Sequence, residues 1–499
     1  MKKKYYITTP IYYPSAKPHM GHAYSSISAD VIARFKKLDG FDVKFITGTD
    51  EHGQKIQKSA IKENLTPINF CDMISKVFLD LTKKLNLSNT DFIRTTEKRH
   101  LETVRKLWKI LEEKNQIYLS KYSGWYSVSD EAFYSEDEIK SLNKQKICLA
   151  TGSVVEWVEE ESFFFKLSEF QNLLLNFYEK NPDFIQPASR KNEVISFVKS
   201  GLKDLSISRT SFDWGIPVPG NDKHIMYVWL DALTNYLTAA NFFGKKSFWP
   251  ADIHIIGKDI LRFHAVYWPA FLMAANIPLP KKVFGHGWIL SGDEKMSKSK
   301  GNILDPIEII DEFGLDEIRY YLMKEVIFGL DGKINIDNLK NCINSDLANN
   351  IGNLSQRIFT LINKHFSNKV PEAKLTKKES DMLLISPDLL KKIMDNFEIH
   401  NYIREVIAYS SKINKYVNDE EPWFKIKNSD DRVGTILYVA LNALKNIFVL
   451  LHPIMPAKSE SFLSCMSIVQ KNISLELISK NLESNTELTM PGLLFKKHI

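Results

Sequence analysis

Cysteine is scarce. The 499-residue chain has four, Cys71, Cys148, Cys342 and Cys465, and no two stand as CxxC. Without that spacing there is no zinc knuckle to assign, and so few scattered cysteines fit a reducing compartment. Long apolar runs are missing as well. No stretch of roughly 18 apolar residues offers a transmembrane helix, and the best candidate, Ala265 to Ile277, is short and ends at Pro278. The basic start, Met1-Lys2-Lys3-Lys4, leads into Thr8, Thr9 and Pro10 rather than an apolar core, so it does not read as a signal peptide. There is no internal repeat and no low-complexity tract. Charge of one sign is not dominant either. The 66 basic and 60 acidic residues leave a net +6, which permits a nucleic-acid partner without arguing for one. A composition of 44% hydrophobic and 25% charged residues, at this length, describes a globular chain of more than one domain.

The first hundred residues alternate strand and helix signals. Tyr5–Ile11 reads as a buried strand. Gly21–Leu38 reads as a helix with Ile27, Val31, Ile32 and Phe35 at helical spacing, and Asp42–Thr47 reads as a second strand after Gly40. This β-α-β order predicts a parallel sheet with right-handed crossovers, whose ligands sit at the carboxyl ends of the strands. From about 118 to 215, aromatic runs such as Trp125-Tyr126 and Phe163-Phe164-Phe165 predict an inserted β-rich subdomain. The α/β pattern then resumes, with strand segments expected at Met226–Leu230, Asp252–Gly257 and Val283–Phe284. After about residue 340, Leu347–Phe366, Ile399–Tyr416 and Thr435–His452 show helical periodicity, punctuated by Pro371, Pro387, Pro422 and Pro453, which predicts a helical bundle. From residue 346 onward it carries 20 Lys+Arg against 17 Asp+Glu, a net +3, so charge does not identify its ligand.

The expected fold is therefore an α/β, Rossmann-like parallel-sheet domain split by an insertion and followed by an α-helical bundle. The division expected is 1–117 for the first half of the sheet domain, 118–215 for the insertion and 216–290 for the second half. A loop and stem-contact region follows over 291–345, and the bundle covers 346–499.

Two segments carry chemistry. His19-Met20-Gly21-His22 follows the first strand at a helix start, where free N–H groups and the helix dipole favour anions. Gly21 admits a close approach, and His19 and His22, three apart, share one side of the first turn. On its own, an HxxH pair reads first as a capping or surface pair. Lys295-Met296-Ser297-Lys298-Ser299 lies in a polar loop ahead of Gly301. Lys298 is placed to act as a point charge on a phosphate, with Lys295 assisting. Together the two segments offer a triphosphate two positive grips.

HMGH after a first strand, with KMSKS late in the sheet, resembles the signature pair of class I aminoacyl-tRNA synthetases. Further segments resemble the methionyl-tRNA synthetase family: Pro10-Ile11-Tyr12-Tyr13, Thr47 to Gln54, Tyr227 to Leu233, His254 to Asp259, Asn349 to Leu354 and Glu421-Pro422-Trp423. The resemblance runs through nearly the whole chain in order. It implies a methionine pocket of Ile11, Tyr13, Trp229, Ala232, Leu233, Tyr236 and His264, whose aromatic faces suit a polarizable thioether. It implies that Asp50 holds the substrate ammonium. It implies an ATP site of His19, Gly21, His22, Gly257, Asp259, Trp288, Ile289 and Lys298, with His19, His22, Lys295 and Lys298 as catalytic groups. It also implies an anticodon reader of Asn349, Asn353, Arg357 and Trp423, where unstacked bases meet an aromatic face and amide or guanidinium donors. Without the resemblance, Asn349 and Asn353 read as helix braces and Trp423 as part of a turn.

The chain departs from common relatives in two ways. The stretch Tyr126 to Glu131 has no cysteine where many relatives carry a zinc knuckle, so a zinc-free insertion is expected and no metal ligand is assigned. The chain stops soon after the bundle, which favours a monomer. The expected activity is that of a cytoplasmic methionine–tRNA ligase. It uses ATP with Mg²⁺ to make methionyl-adenylate and charges methionine tRNA with a CAU anticodon, with no membrane partner. Rival readings are a class I synthetase for leucine or cysteine, a tRNA-independent nucleotidyltransferase of the same superfamily, and an inactive RNA-binding module.

Overall fold

The computed structural model describes residues 2–14, 17–130, 132–142, 145–291, 294–295 and 305–498. The chain groups into two compact units. One holds Tyr5–Pro18 and Lys44–His286, and the other holds Met1–Lys4, His19–Val43 and Gly287–Ile499.

The framework of the Tyr5–Pro18 and Lys44–His286 unit is a six-stranded sheet. Its order is Asp91–Arg94, Asp42–Thr49, Lys4–Tyr12, Ile253–Gly257, Val283–His286 and Ile185–Gln186. Ile253–Gly257 pairs parallel to Lys4–Tyr12 on one side and to Val283–His286 on the other. Tyr5 to Pro10 is buried without interruption, as a strand covered on both faces requires. Helix Lys98–Glu113 packs on helix Val228–Ala239, burying Val104, Leu107, Trp108 and Leu111 at helical spacing. The strand order reverses direction at Lys4–Tyr12, so the crevice at the carboxyl ends of Lys4–Tyr12 and Ile253–Gly257 is the place where such sheets bind ligands.

The insertion is β-rich, as its sequence predicts. Ile117–Ser127 pairs antiparallel with Val154–Phe165 along a ten-pair ladder, from Ile117 opposite Phe165 to Tyr126 opposite Glu156. It does not stay separate from the main sheet, because Ile185–Gln186 joins it beside Val283 and Phe284. In the turn region, Asp130 accepts from Thr151 Oγ1 at 2.6 Å, Ser153 Oγ at 2.7 Å and the Tyr134 hydroxyl at 2.9 Å. This carboxylate knot clasps the hairpins by hydrogen bonds. One expectation is corrected. Met226–Leu230 is not a strand: the strand is Asn221–Met226, in a small antiparallel sheet, and Val228 already begins a helix. The apolar run Tyr227 to Leu233 fits either state by periodicity alone.

In the second unit, helix Met20–Leu38 is gripped by groups from the C-terminal half of the chain. Asp30 and Arg319 pair at 2.7 Å with both side chains fully buried. Arg319 also donates to the carbonyls of Ile454 at 2.7 Å and Pro453 at 3.0 Å. Lys36 reaches Asp395 at 2.5 Å, and Phe35 meets the Tyr402 ring edge-on at 5.5 Å. Removing Asp30 costs roughly 3–5 kcal/mol, because it strips the buried Arg319 charge of this carboxylate. The bundle is built around helices Asn353–His365, Ile399–Glu420 and Arg432–Leu451. Arg432–Leu451 has the length and mean hydropathy (1.7) of a membrane span, but 94% of that window is buried inside the bundle, so it is a core helix.

Candidate functional site

Helix Met20–Leu38 starts at the histidine pair, and the pair is also its cap. The Gly21 N–H donates to His19 Nδ1 at 3.0 Å, and the His19 N–H donates to His22 Nδ1 at 3.0 Å. The rings stand 3.9 Å apart. A side chain at position 21 would put its Cβ 2.8 Å from the His19 ring, so the ring would have to leave its capping position. Both Nδ1 atoms accept, so in the neutral rings the proton sits on Nε2 of each. Burial, and then the neighbouring His19, hold His22 well below the usual imidazole range. The capping and functional readings of the HxxH pair are therefore compatible. Capping uses Nδ1 and fixes Nε2–H as the donor.

In the same unit, Trp288 and Ile289 lead into strand Ile289–Ser291, which pairs parallel with Gly332–Ile334. The Trp288 N–H donates to Asp331 Oδ1 at 2.8 Å. Glu294–Lys295 folds back antiparallel on Ile289–Ser291, with the Lys295 backbone opposite Leu290. Lys298, expected to meet phosphate, lies outside the described residues.

In the Tyr5–Pro18 and Lys44–His286 unit, several expected pocket residues come together. Trp229, Ala232, Leu233 and Tyr236 all lie on helix Val228–Ala239. The Trp229 indole stacks on Phe263 at 3.7 Å and 6° and meets the His264 ring at 6.3 Å. Trp229 Nε1 is buried with no hydrogen-bond partner among the described residues. His264 lies in a π-helical turn, Phe263–Tyr267, a local distortion frequent at functional sites. Its Nδ1–H donates to the Ile260 carbonyl at 3.0 Å, so Nε2 accepts the Tyr236 hydroxyl at 2.7 Å. Burial pulls His264 down to about 4, leaving a neutral ring and an apolar, aromatic wall with one polar handle. Ile11 and Tyr13 are half-buried at the carboxyl end of the first strand. The Tyr13 hydroxyl donates to the His52 carbonyl at 3.1 Å.

Asp50 sits just past strand Asp42–Thr49, and its N–H donates to the Tyr12 carbonyl at 2.9 Å. Both of its following neighbours are locked. Glu51 accepts from Arg94 Nε at 2.6 Å, from Thr96 Oγ1 at 2.5 Å and from Ser75 Oγ. His52 Nδ1 donates to Asp231 Oδ2 at 2.6 Å, and His100 Nε2 donates to Asp231 Oδ1 at 2.7 Å. Burial alone would raise the Asp231 carboxyl. The two imidazoles outweigh it and bring the group down to about 2. Asp231 shares its helix with Trp229 and Leu233, so this bridge ties the Asp50 loop to the pocket helix. The sequence gives no signal for it, because positions 52, 100 and 231 follow no motif spacing. Asp259 lies just past strand Ile253–Gly257, its carboxylate folded over Gly257. A Cβ at 257 would stand 2.6 Å from Asp259 Oδ1.

In the bundle, Asn349 lies in a second π-helical segment, Ile343–Gly352, ahead of helix Asn353–His365. Asn349 and Asn353 are exposed. The bracing role falls to Asn350, whose Oδ1 accepts from Asn414 at 2.7 Å and Ser410 at 2.9 Å. Trp423 is in a short helix, Pro422–Lys427, rather than a turn. The Arg357 guanidinium lies 4.7 Å from the Trp423 ring centre and donates to Asn418 Oδ1 at 3.0 Å. Among the described residues no group of three or more His, Cys, Asp or Glu is placed to hold a metal ion.

Two family profiles match. One described as "tRNA synthetases class I (M)" covers residues 5–359, and one described as "Anticodon binding domain of methionyl tRNA ligase" covers 371–499. A methionine–tRNA ligase of Brucella suis is 46% identical over 507 residues, covering 100% of this chain and 98% of that protein. One of Rickettsia felis is 48% identical, covering 100% and 99%. The solved structure of Mycobacterium tuberculosis methionyl-tRNA synthetase in complex with methionyl-adenylate superposes with a TM-score of 0.95 at 43% identity, covering 99% of each chain.

Proposed function

The chain belongs to the methionyl-tRNA synthetase family of class I tRNA synthetases, and we infer that it is a methionine–tRNA ligase. It activates L-methionine with ATP and transfers the methionyl group to methionine tRNA. In the first step a methionine carboxylate oxygen attacks the α-phosphorus of ATP, the bond to the bridging oxygen breaks, and pyrophosphate leaves. In the second, a 2′-hydroxyl of the terminal tRNA adenosine attacks the methionyl carbonyl, loses its proton, and AMP leaves. The observation that carries the methionine reading is the aromatic wall of Trp229, Tyr236 and His264 beside the tethered Asp50 loop.

The residue roles we propose are those the family resemblance implies, and the chemistry of each group supports them. Asp50 pairs with the substrate ammonium. Trp229, Ala232, Leu233, Ile11 and Tyr13 enclose the thioether. The Tyr236–His264 bond leaves that wall neutral, which suits an uncharged side chain. His19 and His22 present Nε2–H donors to the phosphate oxygens as charge develops on them. Gly257 admits the ribose and Asp259 accepts from its hydroxyls. Trp288 and Ile289 offer backbone groups to adenine, and Lys295 and Lys298 add positive charge at the triphosphate. No protein nucleophile is required, so catalysis is positioning plus charge stabilisation. Mg²⁺ would arrive with the ATP phosphates, which fits its habit of taking few protein ligands. In the bundle, Trp423 and Arg357 offer a stacking face and a fork of donors to the bases of a CAU anticodon, flanked by Asn349 and Asn353. The functional divisions we adopt are 1–117, 118–215, 216–290, 291–345 and 346–499, in a cytoplasmic monomer. Aminoacylation of methionine tRNA transcripts tests the reading. A transcript with CAU should be charged with methionine, and one with an altered anticodon should not. Equal charging of both would remove the bundle from the account.

A further inference from the structure

Behind the aromatic wall, two strands of the main sheet carry a polar pair where apolar residues are the rule. Thr8 and His254 stand opposite each other in the parallel register of Lys4–Tyr12 and Ile253–Gly257. Both are fully buried, and Thr8 Oγ1 lies 2.8 Å from His254 Nδ1. Strands covered on both faces ordinarily carry Val, Ile or Leu. The His254 ring backs the Tyr236 ring, with centres 4.2 Å apart and planes inclined by 32°. Trp249 stands 6.2 Å from the same imidazole and His264 6.3 Å. Burial, and then His264, hold His254 well below the usual imidazole range, so its ring is neutral. Its Nε2 is buried with no hydrogen-bond partner among the described residues. An unpaired buried nitrogen lowers stability, so packing alone does not account for a histidine here.

The direction of the hydrogen bonds follows from their far end. His264 Nδ1–H donates to the Ile260 carbonyl, so His264 Nε2 takes the Tyr236 proton. The Tyr236 oxygen is then an acceptor towards its other neighbours. Burial pushes its phenol up, and hydrogen bonds from Asn235 and Thr8 ease it back, as donors to that oxygen do. Thr8 has a single hydroxyl proton. Once that proton goes to Tyr236, the Thr8 oxygen accepts from His254 Nδ1–H, which fixes that tautomer and leaves Nε2 bare. Every donor in the series His254, Thr8, Tyr236, His264 therefore points the same way, and each bond polarises the next.

We propose that Thr8 and His254 are positioning residues for methionine selection: they hold the Tyr236 hydroxyl in one orientation, so that its dipole is fixed against the substrate sulfur. The proposal rests on the ligase reading and on Tyr236 as a pocket residue. Methionine and norleucine differ only in sulfur for a methylene, and an apolar pocket separates two side chains of nearly equal shape poorly. A polarizable sulfur responds to a fixed dipole, and a methylene does not. A hydroxyl free to rotate would present no lasting dipole, and the pocket would then take both side chains on size.

ATP–pyrophosphate exchange with methionine and with norleucine, on the full chain, tests this. Thr8→Val combined with His254→Leu replaces both partners by apolar groups, a change that costs little stability. The ratio of kcat/KM for methionine to that for norleucine should fall about fivefold, the factor of one ordinary hydrogen bond. Thr8→Val alone leaves the ring packing in place and should lower the ratio by a similar factor. It decides the matter by itself where the double variant does not fold. His254→Asn loses the ring but keeps a donor where Nδ1 stood, so it should lower both activities together and keep the parent's ratio. A parent-like ratio in Thr8→Val would overturn the proposal. So would a ratio lost in His254→Asn as fully as in Thr8→Val, because ring packing would then set the preference. Failure of the parent chain to exchange with methionine would instead overturn the ligase reading.

Discussion

Replacing Asp231 by Asn removes a buried charge that joins the Asp50 loop to the helix carrying Trp229. Asp231 is 1% exposed, and its carboxyl lies at about 2 against an ordinary 3.8. Burial opposes that shift, and the bonds from His52 and His100, at 2.6 and 2.7 Å, outweigh it. At about 1.36 kcal/mol per unit, the difference is roughly 2 kcal/mol of folding stability. The folded value lies below the unfolded one. The contribution is therefore fully present above about 3.8 and is lost as pH falls through about 2. Asp231→Asn also points an amide N–H₂ at one of two imidazole N–H donors, so the bridge cannot reform unchanged. Urea unfolding followed by tryptophan fluorescence should show a loss of about 2 kcal/mol at pH 7 and a smaller loss at pH 3. Methionine KM should rise while kcat for ATP–pyrophosphate exchange holds, because the pocket loosens and the phosphate groups are untouched. Unchanged stability at pH 7, or a penalty that does not shrink at pH 3, would refute the reasoning.

Other expectations are as specific. His22→Ala should lower ATP–pyrophosphate exchange about a hundredfold, the loss of one preorganised donor worth roughly 3 kcal/mol. Equilibrium dialysis should find methionine binding intact. Trp423→Ala should weaken tRNA charging by roughly 1–3 kcal/mol of stacking, measured as kcat/KM for tRNA, with exchange unaffected. His264 is held at about 4, below the ordinary 6.5. The unfolded chain takes up that proton first, so stability should fall as pH drops from about 6.5 toward 4. Thermal melts of His264→Gln should show a flatter decline over the same window.

The sheet domain, the β-rich insertion and the helical bundle were legible because strand and helix periods, prolines and aromatic runs are local signals. So was the histidine turn at the first helix, because capping and anion binding both act within one turn. The strand expected at Met226–Leu230 failed because a short apolar run carries no period, and the packing of Val228–Ala239 on Lys98–Glu113 decided for helix. The bracing amide proved to be Asn350 rather than Asn349 or Asn353, because the π-helical Ile343–Gly352 rotates faces away from the ordinary helical spacing. The Asp231 bridge was not legible at all. It joins residues far apart in the chain, and only the fold brings them into contact.

The central claim is that the pocket beside Asp50 selects methionine for adenylation. ATP–pyrophosphate exchange measured with each of the twenty amino acids tests it most directly. Exchange with methionine should lie far above that with every other amino acid. Exchange with leucine or cysteine in its place, or with none of the twenty, would contradict it.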